Sequence, residues 1–197
     1  MLISEVIEEF KQVQLNFDKE KDIEALNRCI LGYQNLLSEI PGDPEILFQL
    51  GTAHLQLGQF GLAAVFFNQV IESWPDNAHI WSNLGCCYRS MHMLPEARNC
   101  FEKSLMYEQR AETYSNLASS YVNEDCPEKG IPYAEKAIEL SGDIAQPKWN
   151  AALLYLEMQN WAKGFLYYEA GFFCGERLLR SYSNDPESIP FWTGPCA

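Results

Sequence analysis

Asn83, Asn116 and Asn150 lie 33 and 34 residues apart, and Gln49 holds the same slot 34 residues before Asn83. A primary amide donates two hydrogen bonds and accepts at its oxygen, so each can hold a backbone N–H and a backbone C=O together. A row of amides therefore suits an extended peptide, whatever side chains that peptide carries. The plainer alternative is that the slot serves helix packing. The neighbouring turns carry Phe48, Ser82, Cys86, Arg89, Ser115, Ser119, Asn123 and Trp149. Phe48 and Trp149 are either anchors for a ligand, one near each end, or packing residues against a neighbouring helix or the tail. Arg89 is the cation available on this face for a terminal carboxylate, which disfavours a dedicated carboxylate clamp.

Catalytic constellations are weaker. His54, His79 and His92 have no metal ligand at suitable spacing, and no glycine-rich phosphate loop follows a strand. The adjacent Cys86 and Cys87 point to different sides of one helix, as core and groove lining rather than as a redox or metal pair. The sequence predicts no metal, no cofactor and no enzyme activity of its own.

Charge narrows the partners. Lys and Arg total 14 against 27 Asp and Glu, a formal net charge of -13. Such a chain repels phosphate backbones and has no counterion-release gain for binding them, so nucleic acid is excluded as the expected partner. The acidity is densest in Glu5, Glu8, Glu9, Asp18, Glu20, Asp22 and Glu24, a solvated helix face or a dock for a basic partner. Seven cysteines, an odd number, are scattered through apolar patterns and read as reduced thiols. Met1, Leu2 and Ile3 are followed at once by Ser4, Glu5, Glu8 and Glu9, unlike a signal peptide, and no apolar run approaches a membrane span. The expectation is a cytoplasmic protein without a membrane partner.

These side chains need a scaffold that repeats. Leu47, Leu50, Gly51, Ala63 and Phe67 recur 34 residues later as Trp81, Leu84, Gly85, Ala97 and Phe101. A period of that length means stacked helical hairpins, because a lone hairpin cannot bury its apolar stripe. The spacing predicts an all-α solenoid over residues 1–182: a degenerate capping repeat at 1–43, then repeats at 44–77, 78–110, 111–144 and 145–182. A proline-rich tail at 183–197 follows, in which Phe191 and Trp192 are expected to pack back on the last hairpin. Gly58, Trp74, Pro75 and Asp76 punctuate the first full repeat, and Pro95 and Pro127 open second helices. Small residues recur where helices approach: Gly51, Gly85, Ala118 and Ala152 at one slot, and Ala63, Ala97, Gly130 and Gly164 at another.

Those slots, with Tyr88, Tyr121 and Tyr155, resemble the tetratricopeptide repeat over roughly residues 20–172. His54 and Lys148 depart from the pattern in the first full and last copies. The resemblance implies a right-handed superhelical solenoid whose concave face, built from the first helix of each pair, binds a protein or peptide ligand. The amide row resembles the asparagine ladder of the repeat region of O-linked N-acetylglucosamine transferase. Trp149 to Leu154, Asn160 to Phe165, and Pro190 to Gly194 further resemble the last repeat and connector of tetratricopeptide glycosyltransferases. Only three residues follow Gly194, so a transferase domain would need a further segment. The function expected is thus a scaffold that binds a partner's peptide in its groove; the alternative is the acceptor-recognition region, or a truncated relative, of a glycosyltransferase. Edges and the convex surface leave self-association open.

Overall fold

The computed structural model describes residues 7–8, 11–13, 23–122, 126–142 and 145–172. Helix α1 (Ile23–Glu39) precedes four helical hairpins: α2 (Pro44–Gln56) with α3 (Phe60–Ser73), α4 (Ala78–Ser90) with α5 (Leu94–Tyr107), α6 (Ala111–Ser119) with α7 (Ile131–Ser141), and α8 (Ala145–Glu157) with α9 (Trp161–Phe172). Each helix packs on the next in sequence, and α2–α4 and α6–α8 also touch across one intervening helix. The result is an all-α solenoid in which the first helices of successive pairs stand side by side. Asn123, the tail at 183–197 with Phe191 and Trp192, and the Pro190–Gly194 part of the connector resemblance lie outside the described residues.

Local sequence starts and stops these helices. The Asp43 carboxylate accepts the Ile46 N–H at 3.0 Å ahead of Pro44, and the Asn77 side chain accepts the His79 N–H at 3.0 Å. Both satisfy amides that a helix start leaves unpaired. Gly58 turns between α2 and α3 with φ +73°, and the equivalent turns after α4 and α8 place His92 at φ +60° and Gln159 at φ +57°. The turn geometry persists without glycine, which is why the sequence marks it only once.

One element departs from expectation. Pro127 does not open the second helix of its repeat; Pro127–Lys129 forms a separate 3₁₀ turn and α7 begins at Ile131. Pro132 has no N–H to donate to the carbonyl four residues back, so a continuous helix through Gly130 would lack that bond.

The core is held by aromatic rings entering small slots. A Cβ built on Gly51 would lie 2.8 Å from Phe67 Cε1, and one on Gly85 would lie 2.6 Å from Phe101 Cε1. Ala118 and Ala152 are fully buried at the same slot, as are Ala63 and Ala97 at the other. Polar ties cross the stack as well: Ser104 Oγ donates to the Ala78 carbonyl at 2.8 Å, and Arg98 Nη1 donates to the Ser120 carbonyl at 2.9 Å while lying over the Tyr121 ring. None of the described helices is long and apolar enough to cross a membrane.

Gly85→Ala drives its methyl into the Phe101 ring and is expected to lower unfolding free energy by about 1–3 kcal/mol. At Gly61, where a Cβ meets nothing within 4 Å, alanine is expected to raise it by up to about 1 kcal/mol. Urea denaturation of the two variants beside the parent checks both signs.

Candidate functional site

Because α4, α6 and α8 stand side by side, residues one turn apart on each line a shared inner surface. A recess of about 310 Å³ opens there. Arg89 lines it from the end of α4, Glu112, Ser115 and Asn116 from α6, and Gln146, Pro147 and Asn150 from α8, together with Ala111 and Ser141. Arg89, Ser115, Asn116 and Asn150, singled out by spacing alone, therefore meet in one place.

Their amides are not equivalent rungs. Asn150 is only 8% exposed; its Nδ2 donates to Ser115 Oγ at 2.8 Å and to the Ser115 carbonyl at 3.1 Å, and its Oδ1 accepts from Gln146 Nε2 at 3.2 Å. Both of its donors are thus spent on the α6–α8 seam. Asn116 Nδ2 donates only to Cys86 Sγ, at 3.5 Å, a weak acceptor that leaves the second hydrogen and the oxygen free among the described residues. Asn83, half-buried on α4, makes no side-chain hydrogen bond among the described residues. Gln49 is buried, and its Nε2 donates to Glu45 Oε1 at 2.8 Å.

Further seam bonds hold the recess open. Arg89 Nη1 donates to Ser119 Oγ at 2.8 Å, and Ser119 Oγ in turn donates to the Asn116 carbonyl at 2.8 Å. Buried Thr113 donates to Ser82 Oγ at 3.4 Å. The aromatic candidates are tied to packing: the Phe48 ring centroid lies 6.0 Å from that of Phe67, and Trp149 lies 4.9 Å from Tyr168.

Two features escaped the spacing argument. Gln146 occupies the slot one turn before each row amide, the slot of Glu45, His79 and Glu112, so the same periodic search finds it. Arg110 is a second cation near this face; its Nη1 lies 2.8 Å from His79 Nδ1, and its Nη2 lies 3.4 Å from Glu112 Oε2. It sits in the connection before α6, where helical periodicity does not place side chains.

The paired cysteines diverge as expected of neighbours on a helix. Burial pushes the Cys86 thiol up, while Arg89 draws it down and Glu112 pushes it up further. Burial pushes Cys87, inside the core, up to about 12 and Cys100 up to about 11. Both therefore stay protonated at neutral pH and make poor nucleophiles. Among the described residues no group of three His, Cys, Asp or Glu could hold a metal ion.

Family models described as tetratricopeptide repeat match residues 45–77, 78–110 and 111–144. The fold resembles that of MamA from Desulfovibrio magneticus RS-1, with a TM-score of 0.72 and 16% identity, covering 91% of this chain and 97% of that one. It resembles Pseudomonas aeruginosa pilF at a TM-score of 0.72 and 16% identity over 92% of this chain and 86% of that one. YrrB, described as a tetratricopeptide protein with an unusual peptide-binding site, gives 0.67 and 15% over 93% and 98%. At these identities the likeness is one of fold. No curated protein matches the sequence.

Asn150→Ala removes two donors from a buried seam and leaves Ser115 unanswered, an expected loss of about 1–3 kcal/mol. Asn83→Ala is expected to stay within about 0.5 kcal/mol of the parent; chemical denaturation compares them. Because the Cys87 thiol is held above its ordinary value of 9.0, up to about 12, its protonated form favours the fold below that ordinary value. The contribution fades as pH rises from there toward the folded value. The urea midpoint is expected to fall between pH ~8 and pH ~10.5 more steeply in the parent than in Cys87→Ala.

Proposed function

Because the chain belongs to the tetratricopeptide-repeat family, we propose that it is a protein-interaction module whose inner surface receives an extended segment of a partner protein. The observation that carries this reading is the recess bordered by polar groups from three successive first helices. The donors and acceptors that border it suit the backbone of an extended segment. Asn116, in the lining of the recess, and Asn83, on α4 outside that lining, are the working amides of the inner surface, since among the described residues of the row they are the least committed to hydrogen bonds. Asn150 supports them by locking α8 to Ser115. The action is binding without turnover. Reduced thiols at Cys29, Cys86, Cys87, Cys100 and Cys126 fit a reducing compartment such as the cytoplasm.

A peptide array screened with the purified chain identifies binders, and fluorescence polarisation then measures the best of them. Joint replacement Asn83→Ala and Asn116→Ala is expected to weaken binding roughly fivefold to a hundredfold, from about 0.5–1.5 kcal/mol per amide. The thermal midpoint should stay nearly unchanged from that of the parent. Equal affinity for parent and double variant removes the amide row from the function.

A further inference from the structure

The outer face of the solenoid changes character along its length. The second helix of each repeat turns the same slots outward. In α1 they hold Leu31, Gln34 and Asn35, and in α3 they hold Val65, Asn68 and Gln69, all exposed. In α5 and α7 the two amide slots become Glu102 with Lys103 and Glu135 with Lys136. Tyr33 and Phe67, fully buried at one further shared slot, hold α1 and α3 at the same rotation. Leu31 is 61% exposed, Val65 54% and Leu62, one turn earlier, 53%. No charged residue lies from Phe60 to Ile71, in a chain of formal net charge -13. Gln34, Asn35 and Gln69 make no side-chain hydrogen bond among the described residues. Asn68 Nδ2 donates to the Ala64 carbonyl at 2.9 Å and to Tyr88 Oη at 3.5 Å, which leaves its oxygen as an acceptor.

We propose that this face joins two copies of the chain about a two-fold axis. Two molecules that each carry -13 meet at least cost where neither presents charge. An apolar side chain matches another, and an amide is donor and acceptor at once, so the face is complementary to itself, as a two-fold contact requires. A partner steered by charge is drawn to the acidic remainder of the surface instead. The axis reverses the helices, so Leu31 of each copy rests on Val65 of the other, and Arg28, at one end of the face, turns toward the Glu72 end of its mate. Helices α1 and α3, of 17 and 14 residues, both pack on α2. At about 1.5 Å of rise per residue and about 10 Å per helix width, their outer side spans roughly 400–500 Å². A standard interface takes roughly 800 Å² from each partner, so the pair is reversible. The inner surface lies on the first helices and stays open in it.

Sedimentation equilibrium follows the average mass of the full chain from about 1 μM to about 300 μM, at about 0.05 M and about 0.5 M salt. The mass is expected to rise from one chain to two and stop there. It should do so at lower protein concentration in the higher salt, because screening relieves the repulsion between copies and leaves the apolar contact intact. Leu31→Glu with Val65→Glu is expected to weaken pairing at least about tenfold, as is Leu31→Lys with Val65→Lys, while mixing the two restores it because each copy then meets opposite charge. Asn99→Glu, at the same slot of α5, should leave pairing unchanged. All three sites are exposed, and circular dichroism checks that helix content and thermal midpoint are kept. Should the double variants unfold, Gln34→Glu with Gln69→Glu takes their place, with the same loss expected. A mass of one chain at every concentration overturns the proposal, as does a mass that grows past two. Pairing that weakens with salt, or that survives the substitutions on α1 and α3, overturns it too.

Discussion

The structure depends on how closely two helices of a hairpin can approach. Where α2 passes α3 there is no side chain at Gly51, and the Phe67 ring occupies the vacant space; Gly85 and Phe101 repeat the arrangement in the next hairpin. The pairing sets the spacing of the two helices, and that spacing sets how the next hairpin docks. Fully buried Ala118 and Ala152 continue the slot in the later repeats. A solenoid has no single centre to average out an error, so each local fit is passed on to its neighbour.

The stack turns a sequence period into a surface. Residues at neighbouring slots on successive first helices come to lie next to one another, and polar ones among them then find partners across the seam. Ser82 with Thr113, Ser119 with Arg89, and Ser115 with Asn150 are such pairs. The bonds of Arg89 and Asn150 serve two ends at once, since they join two helices and also fix the wall of the recess. The inner surface is accordingly preorganised, which lowers the ordering cost of any segment laid upon it.

Much of this was legible in the primary structure. The repeat of Leu47, Leu50, Gly51, Ala63 and Phe67 in Trp81, Leu84, Gly85, Ala97 and Phe101 announces the hairpins, and the family models match the same stretch. Spacing also brought Arg89, Ser115, Asn116 and Asn150 together. It misled at Pro127, where Pro132 interrupts the helix from the other side, and it overlooked His92 and Gln159, which adopt a glycine-like turn without being glycine. Local residue type is a weak guide to φ when the packed helices on either side dictate where the chain must turn.

Sequence by itself determined the helical period, the small slots, the acidity and the face on which the amides would fall, because each follows from residue type at regular spacing. Tertiary structure alone decided what each amide does there. Asn83, Asn116 and Asn150 are identical in sequence position within their repeats. One is unengaged among the described residues, one touches a sulfur, and one is consumed by Ser115. Hydrogen bonds are won by whichever acceptor stands within about 3 Å, and that depends on the small offsets between unequal hairpins, which no periodic pattern records.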